Sequence, residues 1–284
     1  MLLSTPLTVL IAVAGKYVPQ LEFLNIMLGD EPALEPKYRF YQRLLAEDVE
    51  EADELLAEYM KDRTVVQVYD DVVLPAMSLA EDDWHKDRLD QRKQQMIRAS
   101  VRDLVEEVGE RPRKVSDAPA DAADVAAARE GVATTGGTGG DGAAVAYERC
   151  ILVLPARDPA DEIGAMMLAQ VLEREGYCAE YASVDKLASE YVELVDKKAV
   201  QVVVISALPP GATTHSRYLV KRLRSRFPEL KIIVGLWTVP GNLERAKQRL
   251  TSAGTPLVVG SLERAVEELR QVVQPLMVVG AAKV

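Results

Sequence analysis

The 284-residue sequence predicts an α/β protein in which a small four-helix bundle precedes a five-stranded, doubly wound parallel sheet. Three observations carry that reading. Between 35 and 108 the apolar residues recur at helix spacing. Between 150 and 273 short runs of Val, Ile and Leu alternate with amphipathic stretches. Between these two regions lies text rich in Pro, Asp, Ala and Gly with almost no large apolar residue.

In the first region Tyr38, Tyr41, Leu44 and Leu45 mark one helix, and Ala52, Leu55, Leu56 and Tyr59 mark a second, with acids on the opposite faces. The acidic run 47–54 reads as a helix start and solvated face rather than a metal site. A third helix is expected over 65–79, entered at Thr64. Pro75 should kink it, because proline lacks the N–H and crowds the preceding turn. A fourth runs over 89–108 and stops at Gly109.

In the second region strands are expected at 150–154, 178–182, 200–206, 231–235 and 256–260. Helices are expected at 161–175, 184–197, 213–227, 242–252 and 262–273. Near-continuous apolar strands imply a parallel sheet covered on both faces. Five such alternations give a flavodoxin-like arrangement, whose ligands sit beyond the carboxyl ends of the strands. Any site is therefore expected in the loops after Leu154, Ser206 and Gly235.

The intervening segment 111–148 cannot offset its ordering entropy by burial, so it reads as a flexible linker. Residues 149–275 form the sheet domain and 276–284 a tail. Ahead of the bundle (35–110), residues 2–15 are apolar and uncharged but fall short of the roughly 20 residues of a bilayer span. No basic residue precedes this run and Lys16 follows it, which does not suit a signal peptide. We read 1–34 as the cytoplasmic end of a transmembrane helix and its connector, with a buried helix as the competing reading.

Charge sharpens the division. Residues 1–110 hold 12 basic and 23 acidic side chains, 111–148 hold 4 and 6, and 149–284 hold 18 and 15. The net −10 argues against general nucleic-acid binding. Arg217, Lys221, Arg222, Arg224 and Arg226 interleave with Tyr218, Leu219, Val220 and Leu223, as on a helix with a solvated basic face. Two Cys and two His rule out a disulfide scaffold, a zinc module and a His-rich metal centre. Cys150 and Cys178 begin neighbouring strands and read as small core residues, and His85 and His215 as surface or capping residues. The third strand ends in Ser206 rather than the Asp of a phospho-acceptor. The loop Pro155-Ala156-Arg157-Asp158-Pro159 has few free N–H groups for a phosphate.

A helical cap followed by such a sheet domain resembles the cobalamin-binding module of methionine synthases, corrinoid proteins and light-sensing repressors, over about residues 38–273. Ser206-Ala207-Leu208 matches that family's Ser-x-Leu after the third strand, which surrounds the buried nucleotide tail. Gly164 matches the last Gly of its Asp-x-His-x-x-Gly, Gly235 the first of a Gly-Gly pair, and Trp84 the cap Trp that packs over the corrin ring. The alignment on Gly164 puts the family's Asp on Pro159 and its cobalt-ligating His on Asp161. The Glu-His pair that supplies an upper ligand in the light-sensing branch falls on Gln94 and Gln95. The second Gly becomes Leu236, followed by Trp237, which would crowd the cavity for the tail. Cobalt prefers imidazole nitrogen to these groups.

A second resemblance covers the front of the chain. Ser4-Thr5-Pro6-Leu7-Thr8-Val9, the stretch from Gly15 to Leu24 with Pro19-Gln20-Leu21-Glu22-Phe23, Leu28 to Leu34, and Arg39 to Leu45 resemble the end of the membrane domain and the cytosolic extension of autoinducer-2 exporter family permeases. The two resemblances together imply a non-enzymatic regulatory or ligand-sensing tail on the cytoplasmic side of the cell membrane. Its partners would be the parent transporter's membrane domain, a small molecule and a second copy of itself, but no nucleic acid. Its cleft would be formed by the 155–161 loop with Asp161, Gly164, Ser206, Leu208 and Gly235, and covered by Trp84. No cofactor is expected, with cobalamin as the one candidate left open. The alternative is a stand-alone corrinoid-binding protein, either a methyltransferase subunit or a sensor.

Overall fold

The structure, a computed structural model, describes residues 34–111, 150–198, 200, 202–238, 243–251 and 256–281, with side chains described up to 273. The membrane-helix remnant at 2–15 and nearly all of the linker lie outside these residues. Among the described residues no helix is long and apolar enough to cross a membrane.

The cap consists of four helical rods. The first two are α1 (Pro36–Leu45) and α2 (Val49–Tyr59). The third comprises α3 (Val65–Val68), the π-helical turn π1 (Tyr69–Val73) and α4 (Leu74–His85), and the fourth is α5 (Gln91–Glu110). Pro36 opens the first, and polar side chains start the other three. Asp48 accepts the N–H of Glu51, Thr64 forms a capping box with Gln67, and Asp90 accepts the N–H of Lys93. The kink expected at Pro75 takes the form of π1, where the N–H of Leu74 reaches back five residues to the Tyr69 carbonyl. The wider turn makes room for a ring that has no N–H to give.

The sheet contains β1 (Ile151–Pro155), β2 (Ala179–Tyr181), β3 (Val202–Ala207), β4 (Lys231–Leu236) and β5 (Leu257–Val259), all parallel in the order β2-β1-β3-β4-β5. This is the flavodoxin-like order that the alternation predicts. The helices are α6 (Pro159–Arg174), α7 (Ala188–Lys198), α8 (Ala212–Arg226), α9 (Leu243–Thr251) and α10 (Leu262–Ala281). β2 is shorter than expected and α7 begins four residues late. The 183–187 turn between them is held by its own bonds, with Tyr191 donating to the Ser183 carbonyl and Glu190 accepting from Leu187 N–H. The tail expected from 276 is helical as far as Ala281.

One reading of the cysteines is corrected. Cys150 and Cys178 are joined in a disulfide, with Cα atoms 4.6 Å apart, and Cys178 is exposed rather than part of the core. Parallel pairing of β1 with β2 sets the two positions side by side, a proximity that sequence spacing alone does not reveal.

Two cores flank the sheet. One lies under α7, α8 and α9 and includes Leu154, Val203, Leu219 and Leu223. The other is continuous from Phe40 and Val101 in the cap, through Ile163 and Met167 on α6, to Leu262 and Leu269 on α10. The cap therefore lies against the α6/α10 face as an additional layer. Polar bonds cross this seam. Tyr69 donates to Gln170 Oε1 (2.8 Å), whose amide donates to the Val105 carbonyl (3.0 Å). Arg174 reaches the Val108 and Arg111 carbonyls, and Arg102 pairs with Glu162 (3.1 Å). Asp70, inside π1, accepts the N–H groups of Leu262 and Glu263 at 2.8 and 3.0 Å, so a cap carboxylate starts α10.

Candidate functional cleft

Pairing puts Pro155, Ser206 and Gly235 level with one another across β1, β3 and β4, at the carboxyl end of the sheet where strand order reverses. Five of the six residues expected at the cleft meet there. Asp161, in the first turn of α6, is buried and bridges two loops: one oxygen accepts the N–H groups of Arg157 (2.9 Å) and Asp158 (3.0 Å), and the other accepts that of Leu208 (2.7 Å). The carboxylate ties the loop after β1 to the loop after β3. Burial still pushes its pKa up to about 7, outweighing the three N–H donors that favour its charged form.

Ser206 is fully buried. Its hydroxyl donates to the Asp161 carbonyl (2.8 Å) and accepts the indole N–H of Trp237 (2.7 Å). Trp237, which follows β4, is also fully buried, and its backbone N–H extends the ladder to the Ala207 carbonyl. The ring lies against Gly164 and Gly235. A Cβ at 164 would stand 3.1 Å from the indole Cδ1 and Nε1, and one at 235 only 2.0 Å from Cη2. Both glycines are required by the indole's close approach.

Trp84 is not brought to this group. It sits half-buried in the last turn of α4, against the core shared by the cap and the α6/α10 face, and no hydrogen bond joins it to the cleft residues. The positions of the upper-ligand pair are also turned away. Gln94 is buried in the cap and donates to Glu81, which also takes two bonds from Arg98, while Gln95 is exposed. His85 bonds the Glu81 carbonyl at the surface, a capping role. His215 lies over Gly211 at the start of α8, 3.5 Å from the Arg157 guanidinium; burial and that cation lower its pKa. On α8, Leu219, Val220 and Leu223 are buried, while Arg217, Lys221 and Arg222 face outward. Arg224 caps the chain at the Pro228 and Leu230 carbonyls. Among the described residues no cluster of His, Cys, Asp and Glu could hold a metal ion.

Residues 149–269 match the family described as the B12 binding domain. Among solved structures, the monomethylamine corrinoid protein of Methanosarcina barkeri aligns with a TM-score of 0.53 at 14% identity, over 82% of this chain and 96% of that one. A cobalamin-binding protein from Desulfitobacterium hafniense DCB-2 aligns at 14% identity over the same shares with a TM-score of 0.37. The first likeness shows a shared fold of helical cap and five-stranded parallel sheet. No curated protein matches the chain. None of these likenesses involves an exporter-family permease, and the family match favours the corrinoid-binding alternative over the transporter tail.

The residues present do not fit a corrinoid held in the manner the resemblance implies. Both oxygens of Asp161, at the position of the lower ligand, are committed to backbone N–H groups, and a carboxylate is a poor substitute for imidazole on cobalt. The tail position between Ser206, Gly164 and Gly235 is filled by the chain's own indole. Residues 149–269 are thus similar to the B12 binding domain family; in this chain they follow a helical cap and carry a buried Trp237 in the cleft.

Proposed function

We propose that this protein is a non-catalytic regulatory module that keeps the frame of a B12-binding domain and its cap but does not carry a corrinoid. One observation carries the reading: the Trp237 indole, fully buried and bonded to Ser206, stands where a nucleotide tail would lie. The working part is then the seam of cap against α6 and α10, where a change of partner or ligand would shift the balance between docked and undocked cap. The setting is the cytoplasmic face of a membrane protein. The likeness of the 4–45 text to exporter-family permeases supports that setting, and co-fractionation of the native protein with membranes tests it. The competing reading, a corrinoid-binding protein, is supported by the family match over 149–269 and predicts the opposite result in one experiment. After the protein is mixed with hydroxocobalamin and passed through a gel-filtration column, the protein peak carries no corrin absorbance on the reading proposed here. Stoichiometric retention would establish the competing one.

A further inference from the structure

The corner where the end of α6 leads into β2 is built around one covalent bond. β2 is an edge strand three residues long that pairs with β1 alone, and only Ala179 of the three is buried. Glu180 adds a partly solvated ion pair with Lys198 at the end of α7. So short an edge pairing is marginal without further support. The Cys150–Cys178 disulfide supplies it, one register step before Ile151 pairs with Ala179. The segment it closes, with a sequence separation of 28, contains β1, all of α6 and the turn into β2. That turn is tied to both neighbouring layers. Arg174, the last residue of α6, donates to the carbonyls of Val108 (2.6 Å) and Arg111 (3.0 Å) at the end of cap helix α5. Glu175 pairs with Arg270 of α10 (2.6 Å), and Tyr177 packs on the core shared with the cap. The two cysteines have unlike surroundings: Cys150 is buried, Cys178 is open to solvent, and the chain has no other cysteine.

We infer that the Cys150–Cys178 disulfide is a thiol-reducible latch on the cap, closed by oxidation and opened by glutathione or another small thiol. Closed, it fixes the start of β2 and, through the 174–178 turn, the hold of Arg174 on α5. Opening takes two exchanges. A thiolate of the reductant attacks the sulfur of the exposed Cys178, and the Cys150 thiolate leaves, giving a mixed disulfide. A second reductant thiol then attacks the reductant's sulfur in that bond and releases the Cys178 thiolate. Two electrons pass from the two reductant thiols, which become one disulfide, and their two protons end on the cysteines; glutathione disulfide reverses the sequence. With the cross-link gone, a three-residue edge strand opens locally at low free energy, and the turn that aims Arg174 opens with it. The inference deepens the regulatory reading above and rests on it for the seam as the working part.

The test holds the full chain in glutathione buffers of stepwise reduced-to-oxidised ratio, counts free thiols by alkylation and mass spectrometry, and follows backbone hydrogen exchange. The disulfide should open completely at the ratios of a reducing cytosol and close again in the oxidising buffers. On opening, exchange across 179–182 should rise about tenfold and across 105–111 about threefold, while β3 at 202–207 stays as protected as before. Cys178→Ser, at the exposed position, should show the open pattern in every buffer. A disulfide that persists in fully reduced glutathione overturns the inference, as does an opened disulfide with unchanged exchange at 105–111. Loss of β3 protection on opening also overturns it, since the bond is then a staple of the whole domain. The two readings fail separately: corrinoid retained by the native protein removes the functional reading, whereas exchange at 105–111 that ignores the thiol ratio removes the latch alone.

Discussion

The cleft at the carboxyl ends of β1, β3 and β4 and the seam between cap and sheet domain are closed by different means. The cleft is sealed by one large indole, with Ser206 and Asp161 both fully satisfied beneath it. The seam combines an apolar core with polar bonds at its margins, where Asp70, Arg102, Glu162, Gln170 and Arg174 reach across. Burial of an aromatic ring is insensitive to pH and salt, while carboxylate and guanidinium contacts respond to both. The indole therefore serves as a fixed part of the core, and the seam is the place where a partner can act.

The comparison breaks first if the cleft can be emptied cheaply. Trp237→Ala should lower stability by about 4 kcal/mol in urea unfolding, from lost ring burial and a cavity that the glycine walls cannot collapse into. A loss below about 1 kcal/mol would mean that the indole is not seated as described. At the seam, Glu162→Ala removes the partner of both Arg102 and the Val184 N–H, and should cost about 2 kcal/mol because Arg102 stays partly solvated. Limited proteolysis should then cut between cap and sheet domain more readily than in Trp237→Phe.

Each region also holds one buried carboxyl that makes its stability depend on pH. Burial raises the Asp70 carboxyl to about 6 and that of Asp161 to about 7, with Glu263 and Asp71 adding to the first and Asp158 to the second. Each group binds its proton more tightly in the folded state than in the unfolded one. Its contribution to stability is therefore full below about pH 4 and is lost as pH rises through the folded value. The loss is at most about 1.4 kcal/mol per pH unit for each group. Asp70→Asn should flatten the stability profile between about pH 4 and 6, and Asp161→Asn between about 4 and 7; profiles unchanged by both would remove these groups from the account. The smallest effect concerns the turn after the indole. Thr238→Asn, which tolerates a positive φ, should stabilise the protein by about 0.5–1 kcal/mol in thermal unfolding.

Periodicity was sufficient for the strands and helices, because one-sided burial repeats along the chain. It set the ends of β1, β3 and β4 together because strand ends in a doubly wound sheet converge, while Asp161, Gly164, Ser206, Leu208 and Gly235 came from the resemblance to the cobalamin-binding module and lie together at those ends. Trp84 could not be placed in the same way. A half-apolar helix end gives no sign of which partner it meets, and here the cap lies along a face of the sheet domain instead of covering its edge. Asp70 was also hidden: an acid in the middle of a helix reads as solvent-facing unless the chain 192 residues later is known to begin a helix beside it. The role of Trp237 was half legible, since crowding followed from its size, but the Ser206 bond that orients it depends on register between β3 and β4.

The central claim is that the cleft is closed to a corrinoid by the chain's own side chain. Hydroxocobalamin mixed with the native protein and separated by gel filtration measures this directly through the visible spectrum of the protein peak. The account predicts a peak without corrin absorbance; a peak carrying one corrinoid per chain would contradict it.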